Sequence, residues 1–192
     1  ETAANPLEAY RKVNAQYTLE LASAAAAQGV KRFVFLSSIK VNGEWTAKGQ
    51  AFHADDAVAP KDPYGISKLE AEVGLRAIAE KTGMEVVIVR PPLVYGPGVK
   101  ANFLTLMRWL ARGVPLPLGA IDNQRSLVGL GNLVDLLETC LTHPAAAGHT
   151  FLASDGHDVS VTQLLTALAA ALQVKARLLP VPPLWLERGL AL

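Results

Sequence analysis

Two short apolar runs limit what this chain can become. Phe33-Val34-Phe35-Leu36 and Val86-Val87-Ile88-Val89 are unbroken by any polar residue, rich in β-branched and aromatic side chains, and too short for helices. Runs of this kind predict strands covered on both faces, as in parallel sheets. Between them, Asp62-Pro63 opens a helical stretch that ends at about Thr82-Gly83. The Asp side chain offers an N-cap acceptor, the Pro ring presets φ, and Gly tolerates a left-handed terminus. Strand, crossover helix and strand together predict a right-handed βαβ unit.

The same start signal occurs at Asn5-Pro6, followed by Leu7, Tyr10, Val13, Tyr17 and Leu21 at helical spacing up to Gln28-Gly29. After Arg90 the texture changes. Pro91, Pro92, Pro97, Pro115 and Pro117 punctuate short segments around helices expected at 101–112 and 132–142. Ser160 with Gln163 forms a capping-box signature for a last helix over 161–172. The expectation is an α/β fold with a doubly wound parallel sheet. Residues 1–90 belong to the sheet domain, and 91–192 are mainly a smaller lobe at its carboxyl edge, with some segments returning to the sheet. Open α/β sheets bind ligands at that edge.

Composition excludes several classes. With 51% hydrophobic and 18% charged residues, the chain has enough apolar surface to order itself. Lys plus Arg (18) nearly cancels Asp plus Glu (17), so no basic face for nucleic acid is expected. No apolar run approaches the ~18 residues of a membrane span. The lone Cys140 cannot form an intrachain disulfide, which fits a reducing, cytoplasmic setting. The sequence opens on Glu1-Thr2-Ala3-Ala4 and closes on Gly189-Leu190-Ala191-Leu192. It reads as part of a longer polypeptide.

Tyr64 and Lys68 lie four residues apart at the start of the second predicted helix, hence on one face. An ammonium beside a phenol favours the phenolate, and a tyrosine tuned this way can take a proton from a substrate hydroxyl, although the spacing alone fits a solvated helix pair better. Ser38 precedes Tyr64 by 26 positions at a strand end, where the βαβ topology brings it beside the helix start. Its hydroxyl can hold the same substrate oxygen or simply cap a turn. Gly96-Pro97-Gly98-Val99-Lys100-Ala101 imitates a dinucleotide fingerprint, but Pro97 removes a donor that such a turn would offer phosphate. His53, Asp55 and Asp56 could ligate a metal but read better as a polar loop over the site, and His143, His149 and His157 with Asp155 lack tight metal-ligand spacing, so no metal site is expected.

In order, Phe33-Val34-Phe35-Leu36-Ser37-Ser38, Tyr64-x-x-x-Lys68 and Arg90-Pro91-Pro92-Leu93-Val94-Tyr95-Gly96-Pro97-Gly98 resemble the extended short-chain dehydrogenase/reductase family, specifically its UDP-sugar 4-epimerase-like members. Leu36-Ser37-Ser38-Ile39-Lys40-Val41-Asn42-Gly43 and Gly98-Val99-Lys100-Ala101-Asn102-Phe103 look closest to a bacterial branch acting on UDP-N-acetyl-hexosamines for surface polysaccharides. The resemblance implies a Rossmann-like domain, incomplete here because the match starts downstream of the family's Gly-rich βα turn, and a C-terminal substrate-binding lobe. It implies Ser38, Tyr64 and Lys68 as the catalytic triad, with NAD or NADP as cofactor held by Tyr64, Lys68, Pro91 and Val94. Ser38, Asn102, Phe103 and Arg125 would contact a UDP-sugar, Arg125 at its diphosphate, where a planar guanidinium suits bidentate contacts. Asn14 matches a family Asn near the lysine, and a homodimer through the helices at 5–28 and 62–82 is a family habit.

The resemblance also narrows the reaction. Family dehydratases place an Asp-Glu pair just after the serine, where this chain has Ile39 and Lys40. Dehydration is therefore disfavoured. Oxidoreduction at sugar C4 remains, as epimerisation first and 4-keto reduction next. A sugar-nucleotide-binding fragment without catalysis is the alternative from another class.

Overall fold

The computed structural model describes residues 5–182 and 185, with the side chains of Ala101 and Asn102 outside the described set. Three strands, β1 (Arg32–Leu36), β2 (Glu85–Arg90) and β5 (Thr150–Leu152), form a parallel sheet in the order β1-β2-β5. Val34 stands opposite Val87, and Val89 opposite Phe151. A second pair, β3 (Leu93–Tyr95) and β4 (Leu127–Gly129), is also parallel. The helices are α1 (Pro6–Tyr10), α2 (Tyr17–Ala27), α3 (Pro63–Thr82), α4 (Ala101–Ala111), α5 (Leu130–Thr142) and α6 (Val161–Ala171). The fold is α/β with parallel strands, of the Rossmann-like type that its motifs imply.

Local chemistry explains the helix ends. Asn5 accepts from the Glu8 amide ahead of Pro6, and Asp62 accepts from the Gly65 amide at 2.6 Å ahead of Pro63. Gly83 ends α3 at φ 73°, in the left-handed region. Ser160 and Gln163 form the reciprocal capping box. One expected helix is interrupted. Between α1 and α2, Arg11–Gln16 is a π-helical segment. The wider turn carries Asn14 to Ser67 on α3, with Nδ2 donating to Oγ at 3.0 Å, a tertiary partner that offsets the poorer local geometry.

The chain forms two compact units, Glu1–Pro92 with Gly131–Ala153, and Leu93–Leu130 with Ser154–Leu192. In the first, Ala22, Phe35, Ala71, Leu75, Val86 and Ile88 make the core between sheet and helices. Arg32 on β1 binds Glu85 at 2.7 Å and donates to the carbonyls of Cys140 and His143, holding the C-terminal end of α5 by its free acceptors. In the second, Leu110, Leu116, Leu165 and Ala169 pack α4 against α6.

Residues Val86–Arg90 of β2 are all buried, as the sequence predicts. The expectation of two-face burial fails for β1. Only Phe35 is buried, and Leu36 is 42% exposed. Among the described residues β1 has one strand neighbour and β2 has two, so an apolar run reports strand character but not its place in the sheet.

Candidate active site

In the first unit, the start of α3, which carries Tyr64 and Lys68, meets the carboxyl end of β1 and the turn that follows Ser38. Tyr64 occupies the first turn of α3, directly behind the Asp62 cap and Pro63. Its ring meets Tyr10 edge-on at 5.6 Å between centroids. Lys68, one turn along, places Nζ 5.9 Å from the Tyr64 ring centroid and 4.7 Å from that of Phe35. The same ammonium donates to the Leu36 carbonyl at 3.0 Å, two residues before Ser38. Ser38 caps a 3₁₀ turn, Ile39–Val41, its Oγ accepting from the Lys40 amide at 3.3 Å. Pro91 belongs to the same cluster, because its carbonyl accepts from the Ile39 amide at 3.0 Å.

The electrostatics differ from the sequence expectation. Burial, the Asp62 carboxylate and Tyr10 hold the Tyr64 phenol above its usual range, and the cation that opposes them is Lys40. Lys68 Nζ, 5.9 Å from the ring centroid, donates its hydrogen bond to the Leu36 carbonyl and not to the phenol. Burial holds Lys68 below the ordinary lysine value, against the pull of Glu72.

Sequence reasoning missed the polar network beneath this cluster. Glu72, one turn beyond Lys68, pairs with Arg90 at the end of β2 through two contacts, 2.9 Å from Nε and 2.6 Å from Nη2. Both side chains are at least 96% buried. Ser37 donates to Glu72 at 2.6 Å, and Arg90 Nη1 donates to Asn42 Oδ1 at 2.9 Å. Asn42 in turn donates to the His53 carbonyl at 2.9 Å. Among the described residues no buried side-chain nitrogen or oxygen lacks a hydrogen-bond partner, as a buried ion pair requires. The available signal was positional: Arg90 ends a wholly buried strand, and Glu72 continues the Tyr64–Lys68 face of α3.

Asn14 reaches the site indirectly. Ser67, which accepts from it, donates to the Tyr64 carbonyl at 2.8 Å, so the π-turn buttresses the tyrosine's own backbone.

The remaining candidates lie in the second unit. Val94, on β3, is half-buried. Phe103 on α4 is 6% exposed, its ring stacked on Tyr95 at 6.5 Å. The Asn102 side chain falls outside the described residues. Arg125 is exposed, its amide and carbonyl both bonded to Val159, and its guanidinium makes no salt bridge among the described residues. His53, Asp55 and Asp56 sit on a loop, and no group of three or more His, Cys, Asp or Glu converges among the described residues.

Known proteins share this arrangement of sequence. A UDP-glucose 4-epimerase of Vibrio cholerae is 56% identical over 180 residues, which are 93% of this chain and 55% of that protein. The N-acetyl-alpha-D-glucosaminyl-diphospho-ditrans,octacis-undecaprenol 4-epimerase of Escherichia coli O157:H7 is 31% identical, over 89% of this chain and 51% of that protein. Among solved structures, RMD from Pseudomonas aeruginosa, complexed with NADPH, superposes with a TM-score of 0.78 at 26% identity, covering 88% of this chain and 61% of that one. The chain thus spans about half the length of the curated relatives it matches. The model of the NAD dependent epimerase/dehydratase family matches residues 1–154, and with the tyrosine–lysine helix in place the chain belongs to that family.

Proposed function

We propose that the protein of which this chain is part interconverts UDP-sugars that differ in configuration at C4. The observation that carries this reading is Lys68, one turn beyond Tyr64 on α3, with its ammonium on the Leu36 carbonyl at the end of β1, two residues before Ser38. The 56% identity to a protein named for UDP-glucose 4-epimerisation favours epimerisation over 4-keto reduction.

NAD fits the residues present: a half-buried phenol and a half-buried ammonium, held below its usual pKa, offer polar groups to a nicotinamide ribose. Tyr64, Lys68, Pro91 and Val94 would hold that end of it, and when bound it accepts and returns the C4 hydride. Tyr64 takes the C4 hydroxyl proton as the ketone forms and gives it back when the alcohol is restored. Ser38, its Oγ still accepting from the Lys40 amide, donates its hydroxyl proton to the same oxygen, fixing it for transfer. Lys68, released from the Leu36 carbonyl, would bring its charge to bear on the phenolate. Ile39 and Lys40 supply no carboxylate after the serine, so no extra acid and base for elimination of water are in place there.

The second unit would bind the nucleotide. Arg125 clamps the diphosphate, and Asn102 and Phe103 serve the sugar end, Phe103 through its backbone because its ring is packed on Tyr95. The exposed Tyr10, Val13, Tyr17 and Leu21 of the first helical stretch, with Val73 on α3, suit cover by a second copy. A role in polysaccharide precursor supply in the cytoplasm, where nucleotide sugars and NAD are at hand, accords with the free, buried Cys140. Among the described residues no helix is long and apolar enough to cross a membrane.

The test is to incubate the natural polypeptide with candidate UDP-hexoses and NAD and to identify products by NMR. A C4 epimer without net change in NAD supports the reading; a stoichiometric redox change, or no product from any UDP-hexose, refutes it. Arg125→Ala should weaken UDP-sugar binding by about 1.5–3 kcal/mol, the scale of a charge-assisted hydrogen bond. Isothermal titration reads this directly, and an unchanged Kd removes Arg125 from the diphosphate site.

A further inference from the structure

We propose that Lys40 is a positioning residue for the acid–base site, tying the turn that carries Ser38 to the helix start that carries Tyr64. The proposal rests on the reading of Tyr64 and Ser38 given above. Three parts of one residue reach both segments. The Lys40 amide donates to Ser38 Oγ at 3.3 Å. Its ammonium pairs with Asp62, the residue that caps α3, and with Glu44 at 3.2 Å. Its carbonyl oxygen lies 2.9 Å from where a Cβ on Gly65 would stand, so the turn presses on the helix backbone next to Tyr64 at a glycine.

The side chains of Lys40 and Asp62 are 41% and 31% exposed. A pair so open to water adds little to global stability, so its consequence is local. Proton transfer between oxygens needs heavy-atom separations of about 2.6–3.2 Å, and the serine and tyrosine come from different elements. The clamp fixes the spacing between those elements where they meet.

It also sets the local charge. The groups facing Tyr64 are Asp62 at the cap, Tyr10 from α1, Lys40 from the serine turn and Lys68 from its own helix. Asp62 and Tyr10 disfavour the phenolate and Lys40 favours it. Removing Lys40 leaves the Asp62 carboxylate uncompensated beside the phenol. A carboxylate deprived of its cation is a stronger obstacle to ionising its neighbour.

The experiment uses the natural polypeptide in four forms: unaltered, Lys40→Met, Lys40→Arg and Asp62→Asn. Tyr64 is titrated by its phenolate absorbance against a Tyr64→Phe blank, and kcat and KM are followed over pH. For Lys40→Met the Tyr64 midpoint should rise by about half a unit or more. Its kcat at pH 7 should fall about tenfold while KM stays within about threefold. Lys40→Arg should restore both. Asp62→Asn keeps the cap but removes the carboxylate, so the midpoint should fall instead while kcat still drops. An unmoved midpoint in Lys40→Met, shifts of the same sign in Lys40→Met and Asp62→Asn, or no rescue by Lys40→Arg overturns the proposal. Turnover that survives in Tyr64→Phe contradicts the role of Tyr64 and not the clamp, because the titration reads Tyr64 without relying on activity.

Discussion

Tyr64→Phe lowers kcat for the C4 reaction by about 10²–10⁴-fold, the usual contribution of a positioned general acid–base group. The substitution removes one oxygen and keeps the ring that packs edge-on against Tyr10, so the fold of α3 should survive. UDP-sugar affinity should change by a few fold at most, because the phenol contributes to proton transfer more than to ground-state binding. The measurement is turnover by NMR of the sugar anomeric signals, paired with calorimetric binding of UDP. Retention of most turnover by the variant removes Tyr64 from the chemistry. A large loss of UDP binding instead would show that the ring supports the site rather than reacts in it.

The second large effect concerns Glu72 and Arg90. Glu72→Ala leaves the Arg90 guanidinium buried with Asn42 Oδ1 as its remaining side-chain partner and also strips Ser37 of its acceptor. Breaking one partner of such a buried pair costs about 3–5 kcal/mol, since the orphaned charge stays in a poorly solvating interior. Urea unfolding followed by circular dichroism should show that loss. The double variant Glu72→Met with Arg90→Leu should recover a large part of it, because apolar residues of similar volume carry no desolvation penalty. A loss below about 1 kcal/mol in Glu72→Ala would mean that water reaches the pair and that it is not the anchor described here.

That network explains why the site forms at this place. Ser37 neighbours Ser38, Glu72 lies one turn beyond Lys68, and Arg90 precedes Pro91. The ion pair with its Ser37 hydrogen bond therefore fastens the end of β1, the face of α3 and the end of β2, the segments that lead to Ser38, to Tyr64 and Lys68, and to Pro91.

How much of this could be read from the residues depended on the range of each interaction. Asn5-Pro6, Asp62-Pro63 and the Ser160–Gln163 box announced helix starts because a cap is satisfied within four residues of itself. The strand β2 was legible because it is apolar throughout and buried throughout. Strands β3, β4 and β5, three residues each, carry too few positions to show a period. The π-turn was invisible because its partner, Ser67, lies 53 positions away. The Glu72–Arg90 pairing was invisible for the same reason, its partners lying 18 positions apart on different elements. The Tyr64–Lys68 pair was legible as a neighbourhood, whereas the Leu36 carbonyl that engages Lys68 comes from another element and was not. Lys40, which does act on the phenol, stood out in the sequence chiefly as a residue that is not a carboxylate.

The central claim is that the sugar C4 hydrogen leaves and returns as hydride while Tyr64 handles the hydroxyl proton. A UDP-hexose carrying deuterium at C4, turned over by the natural polypeptide with NAD in ordinary water, tests it most directly. The account predicts that both C4 epimers keep the deuterium at C4. Replacement of that label by solvent hydrogen in the epimerised product would contradict it.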